Sequence, residues 1–227
     1  TLRQKYPMLY GKNVNVEEMD DRFLSLTSNH KALFGKDKPM IFSASGRTEI
    51  AGNHTDHNLG LVIGASINLD TIAAVTKRDD MIVNFCSEGF PKCTIDISDL
   101  EIKEEEKNTT ASLLRGVAKA FKDRGFDIKG FDANVTSKVL RGSGLSSSAS
   151  VEVLIGEIFN SLYGDDSLTP VEIAKIGQYA ENVYFGKPSG LLDQLSCAYG
   201  GIIGIDFENK TEPKVEPLSF DFADYDL

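Results

Sequence analysis

The chain has 227 residues, of which 34 are acidic and 24 are basic, so its formal net charge is −10 at pH 7. Nucleic acids and anionic membrane surfaces attract basic proteins, so this charge disfavours both as the main partner. Hydrophobic residues make up 41% of the sequence and charged residues 26%, which is typical of a globular protein. The three cysteines show neither a metal-binding nor a disulfide spacing, which favours a reducing compartment. We therefore expect a cytoplasmic protein.

The N-terminal residues 1–38 are predicted to form a helical segment ahead of the main domain. Apolar residues recur at helical spacing over residues 16–34, and Gly35 and Pro39 end the pattern. The main domain is predicted to cover residues 39–220 and to begin with a short strand.

The main domain mixes strands and helices, which indicates an α+β fold. Strands are predicted, from β-branched or alternating residues, at 40–44, 61–75, 81–86, 92–97, 131–139 and 200–207. The charged turn between the second and third of these predicts a β-hairpin or a meander. Helical periodicity predicts helices at 111–121, 151–162 and 169–185. The last of these opens with a capping box, Thr169 to Glu172, and with Pro170 at its first position.

The strongest motif lies between a predicted strand and a predicted helix. It consists of Gly142, Ser143, Gly144, Leu145, Ser146, Ser147 and Ser148. Glycines allow left-handed dihedrals and close backbone approach, and the first turn of a helix presents unpaired N–H groups at its positive end. Such a loop is suited to phosphate groups. The alternative is a Gly–Ser turn in which one serine caps the helix.

The second motif is a polar, turn-rich segment bracketed by glycines. It contains Arg47, Asn53, His54, Asp56 and His57. A metal site is one alternative, although neighbouring side chains diverge on a strand or loop, and a solvated polar hairpin is another. The functional interpretation is a set of hydrogen-bonding groups for a polyhydroxylated ligand, with Arg47 suited to an anion or a developing charge.

The third motif covers residues 181–194 and contains two carboxylates. Glu181 falls on a predicted helix, and Asp193 follows a Gly- and Pro-containing turn between leucines. The Asp193 carboxylate is either a helix cap or a buried, functionally placed base. Taken by itself, the pattern favours the cap.

In this order and spacing, the three motifs resemble those of the GHMP small-molecule kinases, and in particular of their galactokinase branch. The segment from Gly46 to Gly60 resembles the signature G-R-x-N-x-x-G-E-H-x-D-Y-x-x-G. Residues 142–150 are similar to the phosphate motif of the superfamily, and residues 181–194 resemble a segment ending in Gly-Ile-Met-Asp-Gln.

The resemblance implies the GHMP kinase N-terminal domain, an α+β sandwich like the second domain of ribosomal protein S5. It implies ATP-dependent phosphorylation of galactose, or a related hexose, at the anomeric hydroxyl, with Mg²⁺ as the metal. Only the N-terminal lobe is matched, so we expect a C-terminal lobe to be absent from this chain and the fragment to be inactive. The expected partners are a small sugar and ATP, with no nucleic acid and no membrane. The oligomeric state is left open, and a monomer fits.

The resemblance also implies a role for each motif residue. Asp193 would accept the proton of the sugar hydroxyl, and Arg47 would stabilise charge on the reacting groups. Sugar-binding residues would be Asn53, His54, Asp56, Gly190 and Asp193. The ATP phosphates would lie on residues 142–148, and Mg²⁺ would be bound by Ser148 and Glu181.

Departures from the signature within the expected sugar-binding segment leave the identity of the sugar open. Asn53 and His57 stand where the family has Glu and Tyr. Other interpretations are therefore a kinase for a modified sugar and a non-catalytic regulator that binds sugar and ATP.

Overall fold

The computed structural model describes residues 1–53 and 55–220, without the side chains of Asp56 and His57. The α-helices are α1 (Leu2–Tyr10), α2 (Val16–Phe34), α3 (Thr110–Asp123), α4 (Ser147–Tyr163), α5 (Pro170–Tyr179) and α6 (Leu192–Tyr199). Shorter helical turns are Thr55–Asn58 and Glu104–Glu106, both 3-10, and the π-helical turn Ala180–Phe185. No helix within the described residues has both the length and the apolar character needed to cross a membrane.

The described strands form one mixed sheet. They are β1 (Met40–Ala51), β2 (Leu61–Lys77), β3 (Ile82–Ser87), β4 (Cys93–Asp96), β5 (Phe131–Ser137), β6 (Ile202–Asp206) and β7 (Lys214–Leu218). Their order is β4-β3-β5-β2-β6-β7, with β1 also paired to β2. The α+β class predicted from the sequence is confirmed.

The long strand β2 is the centre of the sheet. β1 runs antiparallel along one edge, from Met40 opposite Val75 to Ala51 opposite Ile63. β5 pairs with residues 71–77 of β2, and β6 pairs with residues 61–65. β1 pairs with residues of β2 in both of these ranges. Because a strand has only two edges, β5 and β6 lie end to end along the edge opposite β1.

The predicted hairpin of β2 and β3 is wrong. β3 pairs with β4 and, in parallel, with β5, where Asn84 lies opposite Asp132. β5 therefore takes the place beside β2 that the hairpin would have given to β3. A parallel pair needs a crossover connection, and α3 lies in the chain between these two strands.

Helices cover both faces of β2. Successive side chains of a strand point to opposite faces, and those of β2 alternate between two hydrophobic clusters. Ala73 and Val75 belong to the main core, which contains residues of α3, α4 and α5. Ile72 and Ala74 belong to a smaller cluster with α1 and α2. In the main core, the Phe159 ring lies 5.2 Å from the ring of Phe131, which suits an edge-to-face contact.

A buried carboxylate joins the N-terminal helices to the sheet. Asp70 of β2 accepts hydrogen bonds from Tyr10 of α1 at 2.7 Å, Arg22 of α2 at 2.6 Å and Ser43 of β1 at 2.6 Å. The two helices therefore pack on the sheet through polar as well as apolar contacts. The proposed division of the chain at residue 38 stays a prediction.

Candidate active site

Arg47 and Asp193, which are 146 positions apart, form an ion pair. The Arg47 Nε atom donates to Asp193 Oδ1 at 2.7 Å, and its Nη1 donates to the Gly144 carbonyl at 2.9 Å. The Ser146 hydroxyl donates to Asp193 Oδ2 at 2.6 Å. We call Arg47, Asp193 and Ser146 the catalytic cluster. It joins β1, the first turn of α6 and the start of α4.

Gly46 allows the loop before α4 to lie directly on β1. A Cβ atom at Gly46 would be 2.9 Å from the Leu145 carbonyl oxygen and 3.0 Å from Val139 Cγ1. The next residue, Arg47, donates its backbone N–H to the same Leu145 carbonyl at 3.1 Å. A side chain at position 46 would push the loop away and separate the members of the catalytic cluster.

Asp193 is not the N-cap of α6. The cap position is taken by Leu191, and Asp193 lies in the first turn of the helix. The cap interpretation of its carboxylate is therefore wrong, although an acidic side chain there still interacts favourably with the helix dipole. The Asp193 side chain is 34% exposed and that of Arg47 only 9%, so the carboxylate is the member of the pair that a ligand can reach.

The loop before α4 has the backbone expected of a phosphate site. Gly142, Gly144 and Ser146 have φ of 75°, 77° and 57°, all left-handed. A Cβ atom on either glycine would meet nothing within 4 Å among the described residues, so the loop surface is open. The N–H groups of residues 147–149 have no partner in the helix, because they precede its first intrahelical bond.

The other residues of the loop have different surroundings. Ser143 is exposed and donates its hydroxyl to the Leu140 carbonyl at 2.6 Å, which closes the turn. Leu145 is half-buried and contributes the carbonyl that binds Arg47. Ser147 and Ser148 are half-buried on the first turn of α4. The single-cap alternative does not describe this loop, since the Ser146 side chain makes no capping hydrogen bond in the described chain.

A second polar cluster lies next to the catalytic cluster and is buried. The Gln194 Nε2 atom donates to Glu152 Oε2 and to Glu181 Oε2, both at 2.9 Å. Glu152 and Gln194 are 0% exposed and Glu181 is 2% exposed. Lys187 lies 3.2 Å from Glu181 Oε1. We call Glu152, Glu181 and Gln194 the buried cluster.

Burial, and to a lesser extent the neighbouring Glu181 carboxylate, raises the pKa of Glu152 to about 8. Two atoms of the buried cluster, Glu152 Oε1 and Gln194 Oε1, have no hydrogen-bond partner among the described residues. The sequence analysis missed Glu152 and Gln194. The available signal was Glu152 between Val151 and Val153 in the apolar part of α4, because a buried Glu requires a partner or a proton.

The proposed magnesium ligands have suitable chemistry. Mg²⁺ binds oxygen atoms and uses one or two carboxylates together with substrate phosphates and water. Glu181 offers a buried carboxylate whose Oε1 faces the ammonium of Lys187, and the Lys187 side chain is 61% exposed, so another cation could replace it. Ser148 lies one helical turn before Glu152 of the buried cluster. Among the described residues, no three His, Cys, Asp or Glu side chains form a metal-binding group.

The predicted sugar-binding residues are only partly described. Asn53 is exposed and has a left-handed φ of 52°. His54 and the side chain of Asp56 lie outside the described residues, although the backbone of Asp56 is part of the 3-10 turn Thr55–Asn58. Gly190 is half-buried, two residues before α6.

Two family models match the segments that build the site. The description "GHMP kinases N terminal domain" matches residues 112–201, and "Galactokinase galactose-binding signature" matches residues 28–77. The chain therefore contains the GHMP kinase N-terminal domain. The domain match contains the phosphate loop, Glu181 and Asp193, and the signature match contains Arg47 and Asn53.

Curated galactokinases are similar to this chain over most of its length. The galactokinase of Clostridium tetani is 35% identical over 192 residues, which cover 84% of this chain and 47% of the relative. The galactokinase of Lactococcus lactis subsp. cremoris is 34% identical over 208 residues, 89% of this chain and 51% of the relative. The chain therefore spans about half the length of the curated relatives it matches.

Solved structures confirm the GHMP fold. The structure of Lactococcus lactis galactokinase complexed with galactose has a TM-score of 0.77 at 30% identity, and the match covers 87% of this chain and 52% of that one. Methanococcus jannaschii mevalonate kinase has a TM-score of 0.67 at 18% identity, covering 83% of this chain and 58% of that one. The second likeness concerns the fold alone.

Proposed function

We propose that the protein containing this chain is an ATP-dependent sugar kinase that phosphorylates galactose, or a related hexose, at the anomeric hydroxyl. The observation that carries the proposal is the catalytic cluster at the start of α4. There a carboxylate paired with an arginine lies beside a glycine-containing loop and the unpaired N–H groups of a helix. The similarity to curated galactokinases supports the choice of a sugar as the acceptor.

In this proposal, Asp193 orients the sugar hydroxyl and takes up its proton. The hydroxyl oxygen forms the new bond to the γ-phosphorus of ATP, the bond from that phosphorus to the β–γ bridging oxygen breaks, and ADP leaves. In phosphoryl transfer, positioning and neutralisation of charge contribute more than covalent participation of the protein. The partial exposure of the Asp193 carboxylate suits contact with a substrate.

Arg47 supports this reaction through its fixed position. Its guanidinium binds Asp193 Oδ1 and the Gly144 carbonyl at the same time, so it is held between the carboxylate and the phosphate loop. From there it stabilises negative charge on the carboxylate and on the transferred phosphoryl group. A planar guanidinium with several donors is better suited to this double role than an ammonium.

The remaining residues bind the second substrate and the metal. Residues 142–148 hold the ATP phosphates, mainly through backbone N–H groups, since α4 contributes its positive end. Ser148 and Glu181 hold Mg²⁺, which supplies positive charge to the phosphate oxygens. The net charge of −10 makes this local concentration of donors necessary, because the chain as a whole repels an anion.

Contacts with the sugar determine which hexose is used. Asn53, His54, Asp56 and Gly190 are the proposed sugar contacts besides Asp193. A Glu accepts hydrogen bonds only, whereas the amide of Asn53 offers an acceptor and two donors. This favours, as the second candidate, a hexose that carries an acetamido or carboxylate group. The retained pair of Arg47 and Asp193 argues against a non-catalytic regulator.

The test uses the full-length protein with ATP, Mg²⁺ and a panel of galactose and of N-acetylated and carboxylated hexoses. Phosphorus NMR would identify a sugar 1-phosphate as the product. We expect Asp193→Asn to reduce kcat by about a hundredfold or more, since a positioned base contributes at least that much, with ATP affinity changed less than about twofold.

The matched control is Asp80→Asn, which removes a carboxylate paired with Arg78 outside the catalytic cluster and keeps full activity. Phosphorylation of no sugar in the panel, or full kcat in Asp193→Asn, would contradict the proposed function.

A further inference from the structure

Ser146 occupies the N-cap position of α4 but does not cap it. A serine at this position normally accepts a hydrogen bond from an N–H group of the first turn. Ser146 instead has a left-handed φ of 57°, which is unfavourable for a residue with a side chain, and its hydroxyl donates to Asp193 Oδ2 at 2.6 Å. The hydroxyl therefore makes a contact outside the helix, and the backbone of Ser146 is strained.

The same residue belongs to both halves of the site. Its backbone is part of the loop that would hold phosphate, and its side chain is bound to the carboxylate that would hold the sugar. Arg47 makes a second connection, because it binds both Gly144 of the loop and Asp193 Oδ1. Both oxygens of one carboxylate are thus tied to residues 144 and 146 of the loop, one directly and one through Arg47.

We infer that Ser146 is a positioning residue that couples nucleotide binding in the phosphate loop to sugar binding at Asp193. The inference rests on the proposed function and assigns a regulation to that site. The loop surface around Gly142 and Gly144 is open, so a phosphate on its N–H groups restricts the loop. A restricted loop fixes the Ser146 hydroxyl, and the hydroxyl fixes the rotamer of Asp193.

The physical basis is a saving of conformational entropy. A sugar that binds to an Asp193 side chain already held in one rotamer no longer has to order it. Binding linkage is reciprocal, so the sugar must raise nucleotide affinity by the same factor. For a coupling carried by one hydrogen bond we expect a factor of about five to ten.

The experiment measures dissociation constants of the full-length protein by calorimetry. The probes are galactose and a non-hydrolysable ATP analogue with Mg²⁺, each titrated alone and in the presence of the other. The variants are Ser146→Ala and Ser146→Gly. Glycine suits a φ of 57°, so Ser146→Gly removes the hydroxyl without adding backbone strain and remains usable if the alanine variant folds poorly.

The matched control is Ser196→Ala on α6. The Ser196 hydroxyl is buried on the same helix as Asp193 and has no hydrogen-bond partner within the described part of the chain. We expect the wild type and Ser196→Ala to show the coupling equally in both titration orders. In Ser146→Gly we expect the coupling factor to fall to about one in both titration orders.

The outcomes separate this inference from the proposed function. If the wild type binds and phosphorylates galactose but Ser146→Gly keeps the full coupling, the inference is wrong and the kinase function stands. The inference is also wrong if the wild type shows no coupling. If the wild type binds neither galactose nor the nucleotide, the proposed function fails and this inference fails with it.

Discussion

Asp193 and Gln194 are neighbours on α6, yet they belong to clusters of opposite character. Asp193 is partly exposed and its charge is balanced by Arg47. Gln194 is fully buried and bridges the carboxylates of Glu152 and Glu181 through one amide nitrogen. The catalytic cluster thus neutralises its carboxylate with a buried cation. In the buried cluster two carboxylates share a neutral donor, and only Glu181 also faces a cation, the exposed Lys187.

The difference concerns which carboxylate can respond to a ligand. An exposed carboxylate can exchange hydrogen bonds with a substrate, because water compensates each lost partner during the exchange. A buried carboxylate without a cation is costly and tends to take up a proton instead. We therefore assign proton transfer to the catalytic cluster. The buried cluster holds α4, α6 and the π-helical turn in place, and its Glu181 is also the proposed Mg²⁺ ligand.

The largest effect on stability is expected for Gln194→Leu. This change leaves Glu152 and Glu181 buried without their shared donor, which should lower the free energy of unfolding by about 3 kcal/mol. Asp193→Asn, one residue earlier, should cost less than about 1 kcal/mol, because its partly exposed site is open to water. Urea denaturation of both variants measures the contrast. Equal losses would mean that the two clusters do not differ in energetic role.

The second prediction concerns Glu152→Gln and pH. Since folding raises the pKa of Glu152 from 4.5 to about 8, the folded chain binds more protons than the unfolded chain between these values. The bound proton contributes its full stabilisation below pH 4.5. As pH rises, this contribution falls by at most about 1.4 kcal/mol per pH unit, and it is lost as pH passes through about 8. Glutamine cannot ionise, so Glu152→Gln should gain stability relative to wild type as pH rises.

Urea denaturation from pH 5 to pH 9 tests this prediction. Asp193→Asn is the matched comparison from the catalytic cluster, and its stability should follow the wild type through the same range. Parallel curves for wild type and Glu152→Gln would show that Glu152 is ionised in the folded protein.

The smallest effect on stability is expected when a carboxylate replaces the amide at position 53. Asn53 is exposed, so Asn53→Glu should cost about 1 kcal/mol, mainly because a longer side chain is less tolerant of a φ of 52°. Asn53→Gly is the matched control and should be no less stable than wild type. We expect Asn53→Glu to bind galactose up to about tenfold more tightly, because a charge-assisted hydrogen bond is stronger than a neutral one. Thermal denaturation and a galactose titration measure the two effects, and unchanged affinity would contradict the second.

The sequence was sufficient for the catalytic cluster because its parts are short motifs. Glycines with positive φ, serines at a helix start and an Asp after a turn each have a local physical reason to be where they are. The joint role of Arg47 and Asp193 in one reaction was an implication of the resemblance, not of spacing. The buried cluster could not be predicted in this way, because the neighbours of Gln194 in the sequence do not indicate its burial and its partners are on two other elements.

The fold shows the same division between local and long-range information. Helix α5 begins as predicted because its capping box is local, with Thr169 N donating to Glu172 Oε2 at 2.8 Å. The pairing of β3 was predicted wrongly because strand neighbours depend on β5, which is far along the chain. β1 extends to Ala51, beyond the predicted strand, since the polar residues after Ala44 continue to pair with β2. The edge strand β7 has little apolar alternation and was missed.

The end-to-end arrangement of β5 and β6 along β2 has a consequence for synthesis of the chain. β1 and β2 leave the ribosome early and can pair at once, but the other edge of β2 must wait. The C-terminal half of β2 pairs with β5 first. The N-terminal half pairs with β6 only after α6 has been made, with Leu61 opposite Asp206 and Ala65 opposite Ile202. Until then Val62 and Ile63 present an open strand edge, which can pair with another nascent chain. The time needed to translate α3 to α6 therefore sets how long the growing chain is exposed to aggregation.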